Sequence, residues 1–84
     1  MTQDISSAVK HIIRDQIGVS EERVMPEALL IEDLGAHPLG VVELTRTFEK
    51  AFTIDIADGD VGKIRTVRDA IDYINRKRQS ASAR

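Results

Sequence analysis

Apolar residues in this chain recur three and four positions apart in three separate stretches. The first holds Ile5, Val9, Ile12, Ile13 and Ile17, the second Val41, Leu44, Phe48 and Phe52, and the third Val67, Ala70, Ile71 and Ile74. That spacing lays one apolar stripe along one face of a helix. The only extended signature is Ile54-Asp55-Ile56, a short link. The pattern therefore predicts an all-α chain of three main helices.

Local signals mark the ends. The first helix is expected over about Asp4–Ile17, capped by Thr2 or Asp4 and closed by Gly18. The second is expected to run from about Pro38 to Phe52, because proline suits the first helical position, where the missing N–H has no intrahelical acceptor. The last should start after Thr66, with Asp69 completing a capping box, and end near Asn75. Asp58 to Ile64 can form one or two turns capped by Asp58, with Val61 and Ile64 inward. The long connection from Val19 to His37 carries Val24, Met25, Leu29, Leu30, Ile31 and Leu34, which are all expected to be buried. A single turn is expected around Glu21–Val24, with Ser20 as its cap.

At 84 residues the chain is one domain with a modest core. An ordered core over about residues 4–76 and a frayed basic tail over 77–84 are expected. Such a chain offers little room for a catalytic cleft, which makes an enzyme a poor reading. With no cysteine there is no disulfide or thiolate metal site, and His11 and His37 lack companion ligands, so no metal is expected. No apolar run approaches the roughly 20 residues that span a bilayer. The polar start, MTQDISSAVK, lacks a signal-peptide pattern, and a cytoplasmic location is the expectation.

Charge is unevenly spread. Met1–Gly35 holds seven acidic residues against three basic, and Val61–Arg84 holds seven basic against two acidic. The basic end lacks interleaved aromatics for base stacking, so nucleic acid is not an expected partner.

The segment Ile31-Glu32-Asp33-Leu34-Gly35-Ala36-His37-Pro38-Leu39, followed by Val42-Glu43-Leu44, resembles the entrance to the second helix of bacterial acyl carrier proteins. There the family reads E-D-L-G-A-D-S-L-D and then V-E-L. Phe52-Thr53-Ile54-Asp55-Ile56, Lys63-Ile64-Arg65-Thr66-Val67 and Ala70-Ile71-Asp72-Tyr73-Ile74-Asn75 resemble later parts of the same family, without a gap from about Ile5 to Asn75. The resemblance implies an all-α, four-helix carrier bundle of three main helices, one short helix and a long structured first loop. It also implies a serine that bears phosphopantetheine, whose thiol holds the acyl chain.

At that serine's position this chain has Pro38, between His37 and Leu39. Proline has no nucleophilic atom, so no phosphopantetheine and no cofactor is expected. The family's second helix is usually acidic and docks on basic patches of its enzymes. Here Pro38–Phe52 holds Glu43 and Glu49 against Arg46 and Lys50, which sums to zero. Leu39, Glu43, Arg46, Glu49 and Lys50 are the expected partner-binding residues. Val42, Leu44, Phe48, Ile54, Ile56 and Ile64 could line an acyl pocket as the family's do, although the bulky ring of Phe48 favours an ordinary packed core. The resulting expectation is a monomeric, non-acylated interaction or accessory module, whose partners are enzymes of fatty-acid or polyketide-type metabolism. The alternatives are a genuine acyl carrier altered at position 38 and a non-covalent acyl-chain binder.

Overall fold

The computed structural model describes residues 4–82, with side-chain surroundings through residue 79. Four α-helices follow one another: α1 (Ile5–Ile13), α2 (Pro38–Phe52), α3 (Asp58–Val61) and α4 (Val67–Ser82). The main helices pack α1 on α4 with α2 across both, and α3 joins α2 to α4. Among the described residues no helix is long and apolar enough to cross a membrane.

Asp4 caps α1, its carboxylate accepting from the Ser6 N–H at 3.2 Å and the Ser7 hydroxyl at 3.1 Å. The other candidate cap, Thr2, lies outside the described residues. Val9 and Ile13 are fully buried, with Ile5, Ile12 and Ile17 packed around them. The helix does not stay regular to Ile17. Its last turn, Arg14–Gly18, widens to π geometry, and Gly18 ends it at φ +83°. Gln16 in that turn donates to the Thr47 hydroxyl of α2 at 2.7 Å.

The long first connection is tied down by backbone hydrogen bonds to the start of α4. Val67 N–H donates to Ala28 C=O, Arg68 N–H to Pro26 C=O, and Leu30 N–H to Arg65 C=O. The first two satisfy first-turn amides of α4 that have no partner inside their own helix, and the third satisfies the Leu30 amide of the connection. Val24, Leu30 and Leu34 are buried as expected, and Leu29 is half-buried. Met25 and Ile31 are not buried. Gly35 N–H donates to Ile31 C=O and Ala36 N–H to Leu30 C=O, so residues 29–36 coil like a helical turn. Leu30 and Leu34, four apart, then face inward, and Ile31 points away. Glu21–Arg23 form a 3₁₀ turn, but Ser20 contributes its carbonyl to Arg23 N–H and not its side chain.

Helix α2 buries Val41, Leu44, Thr45, Phe48 and Phe52. It ends at Thr53, which adopts the left-handed region at φ 55°. Helix α3 starts after Ala57, with Asp58 as its first residue and no side-chain cap, so Asp58 is not the cap its position suggested. Ile64 is buried beyond the helix, and Val61 is half-buried. Helix α4 opens on the expected reciprocal box. The Thr66 hydroxyl accepts from Asp69 N–H at 3.0 Å, and Asp69 Oδ2 accepts from Thr66 N–H at 3.1 Å. Val67, Ala70, Tyr73 and Ile74 form its buried face. The helix continues past Asn75 to Ser82, and Lys77 Nζ lies 5.7 Å from the Tyr73 ring centroid. Residues 83–84 of the expected tail lie outside the described residues.

Candidate functional site at the head of α2

The head of α2 is built by three consecutive exposed residues. His37 is the N-cap: its Nδ1 accepts from the Leu39 N–H at 3.2 Å, and its carbonyl accepts from Val41 N–H at 3.0 Å. Pro38 holds the first helical position, and Leu39 is 63% exposed. Aspartate, asparagine and serine are the usual caps, and here an imidazole does the same work through a ring nitrogen.

The donor set at this point does not suit a covalent phosphopantetheine link. Such a link needs an exposed hydroxyl at the helix head, and Pro38 offers only a saturated ring. The α2 hydroxyls lie further along the helix and are already engaged. Buried Thr45 donates to Val42 C=O at 2.6 Å, and Thr47 donates to Glu43 C=O while accepting from Gln16.

Four of the five expected partner residues share one face. Leu39, Glu43, Arg46 and Lys50 are spaced four, three and four apart, and all are exposed. Glu49 does not join them. It is half-buried, and its Oε2 accepts from the Ile56 N–H at 2.8 Å. The left-handed turn at Thr53 folds the chain back so that this amide meets the carboxylate.

The six candidate pocket residues are mostly core. Leu44, Phe48, Ile56 and Ile64 are buried, Phe48 completely, and Val42 and Ile54 are half-buried. An open groove of about 350 Å³ does lie beside Pro38, walled by Leu30, Ile31, Val41, Val61 and Ile64, with Glu32 and Arg65 also lining it. Of the six, only Ile64 lines this groove. Three separate segments meet there, so no local spacing in the sequence announces it.

A second cluster joins α3 to α4. The Tyr73 hydroxyl donates to Asp60 Oδ2 at 2.6 Å, and Lys63 Nζ lies 3.2 Å from Asp60 Oδ1. The hydrogen bonds from Tyr73 and Lys63 hold the Asp60 carboxyl below the ordinary aspartate range. Burial, together with the Asp60 carboxylate, pushes the Tyr73 phenol above its ordinary value. The expected stripe of Val67, Ala70, Ile71 and Ile74 passed over Tyr73, which is buried while Ile71 is half-buried. Its place three residues after Ala70 is the signal that could have found it, but nothing local signals its bond to Asp60. No group of three or more His, Cys, Asp or Glu among the described residues could hold a metal ion.

Comparison with known proteins bears on this geometry. The phosphopantetheine attachment site family matches residues 7–74. The acyl carrier proteins of two strains of Nitratidesulfovibrio vulgaris, DP4 and Hildenborough, are each 49% identical over 73 residues, which is 87% of this chain and 96% of theirs. The solved structure of an acyl carrier protein from Enterococcus faecalis superposes with a TM-score of 0.75 at 30% identity, covering 87% of this chain and 92% of that one. The helical fold is thus shared with the Enterococcus faecalis protein.

Proposed function

This chain belongs to the acyl carrier protein family, and from that membership we propose that it acts as a carrier-fold interaction module that bears no acyl arm. The family consists of carriers and not enzymes. The observation that carries the proposal is Pro38 at the first position of α2. In the register set by Glu32-Asp33-Leu34-Gly35-Ala36 and Leu39, that is the position of the family's arm-bearing serine.

A phosphopantetheinyl transferase joins the arm through an attacking hydroxyl oxygen. Proline supplies none, and mutual charge steering toward a basic enzyme is weak on a helix whose charges nearly cancel. What remains is an exposed face, Leu39, Glu43, Arg46 and Lys50, on a rigid helix. In this reading the chain is a monomer in the cytoplasm and meets enzymes of fatty-acid or polyketide-type metabolism as an accessory or regulatory subunit. The test is whether coenzyme A and a broad-specificity phosphopantetheinyl transferase leave the intact mass of the chain unchanged.

The groove beside Pro38 favours a second reading, non-covalent binding of an acyl chain. Its volume of about 350 Å³ falls at the small end of ligand sites. Thermal stabilisation of the chain by free fatty acids would support that reading.

A further inference from the structure

Building on the interaction reading, we propose that the outer face of α2 docks a protein whose contact surface is acidic and offers an apolar socket to Leu39. Three observations meet on this face. Leu39 is 63% exposed, more than Met25 or Ile31, the other exposed large apolar residues described. It stands at the head of a stripe that continues through Glu43, Arg46 and Lys50. An isolated apolar side chain beside charged groups is the anatomy of an interface anchor with a polar surround.

Arg46 and Lys50 lie one turn apart, and neither forms an ion pair among the described residues. Like charges at this spacing oppose the helix. Lys50 gains from its place in the last turn, where the dipole favours a cation, but Arg46 in mid-helix does not.

The carboxylate that would balance them is withdrawn. Glu49 turns from the stripe to accept the Ile56 N–H at 2.8 Å. The face that sums to zero along the sequence therefore presents two cations against Glu43 alone. A basic docking surface would meet Arg46 and Lys50 with repulsion, whereas an acidic one would pair with both. The stripe thus disfavours the basic patches that dock an acidic helix and favours an acidic contact surface on the enzyme or subunit it meets.

The test uses the full chain, labelled with ¹⁵N, and two designed helical peptides of equal length and leucine content. One carries glutamate at its remaining positions and the other lysine. The glutamate peptide is expected to shift the amide resonances of Leu39, Glu43, Arg46 and Lys50. Its affinity should fall at least tenfold in Arg46→Glu/Lys50→Glu, and Leu39→Ala should weaken it as well. Both variants change exposed side chains, and circular dichroism checks that they stay folded. A glutamate peptide that leaves the stripe unshifted, or shifts only Arg68 and Arg76 of α4, overturns the inference, as does equal binding by the lysine peptide. Arm attachment is read separately by mass. Failure with the peptides at unchanged mass sinks the polarity of the face alone, whereas a mass gain sinks the interaction reading itself.

Discussion

The Tyr73 hydroxyl reaches Asp60 across 2.6 Å and so fastens the single-turn α3 to the side of α4. Helix α3 has four residues, Gly59 among them, and no side-chain cap. So short a helix is not stable alone, and glycine weakens it further. Its position depends on this bond and on burial of the neighbouring Ile64.

Tyr73→Phe keeps the buried ring and removes the tether. Amide hydrogen exchange over Gly59–Lys63 should quicken, while α1 and α2 stay protected. The pH dependence follows from the shifts. The Asp60 carboxyl is held below its ordinary value, so its stabilisation is present above that value and is lost as pH falls through the lower, folded one. The Tyr73 phenol is raised, so its contribution is present below the ordinary tyrosine value and is lost as pH rises through the higher, folded one. Melting curves of the parent and Tyr73→Phe should therefore differ at pH 7 and converge toward about pH 2, below the ordinary aspartate range.

His37 caps α2 through a ring nitrogen. His37→Ala should cost about 1 kcal/mol, read by urea denaturation, as for loss of other N-caps. His37→Asp should match or exceed the parent, because a carboxylate accepts the same Leu39 N–H and also suits the helix dipole. An alanine variant as stable as the parent would show that the imidazole contributes nothing to the cap.

Glu43 and Glu49 share a helix but not a role. Glu49→Ala leaves the Ile56 N–H without its acceptor and should cost about 1.5 kcal/mol, the low end for hydrogen bonds to a charged group because the site is only half-buried. Glu43→Ala changes an exposed carboxylate that forms no ion pair among the described residues and should stay within about 0.5 kcal/mol of the parent. Chemical denaturation of the two variants side by side checks the contrast.

Phe48 tests whether the α2 interior is packed or hollow. Its ring is fully buried, 6.3 Å centroid to centroid from Phe52. Phe48→Ala should cost roughly 3–5 kcal/mol. That approaches the whole stability of a domain this small, so far-ultraviolet dichroism should show a largely unfolded chain at 37 °C. A well-folded variant that gains affinity for fatty acids would indicate instead that the site readily opens into a cavity.

Much of the architecture was legible because each main helix carries an unbroken 3.6-residue stripe. The Thr66–Asp69 box was readable from spacing alone, since both partners are three residues apart. Met25 and Ile31 misled because apolar character does not reveal which way a turn faces. That depends on the bonds of Ala28 and Leu30 to the backbone leading into α4, at Val67 and Arg65. The exposed face of Leu39, Glu43, Arg46 and Lys50 was legible as a helical repeat, whereas the turning of Glu49 toward Ile56 N–H required the left-handed turn at Thr53, which no sequence signal marks. The Tyr73–Asp60 bond joins residues 13 apart across a loop, beyond the reach of any local pattern.

The most direct measurement is the intact mass of this chain after incubation with coenzyme A and a broad-specificity phosphopantetheinyl transferase, beside an ordinary serine-bearing acyl carrier protein and Pro38→Ser. The ordinary carrier should gain the arm, this chain should gain nothing, and Pro38→Ser should be modified poorly because His37, Gly40, Arg46 and Lys50 remain. A phosphopantetheine-sized increase on the unaltered chain would contradict the central claim. Rapid, complete modification of Pro38→Ser would instead mark the scaffold as a working carrier altered at one residue.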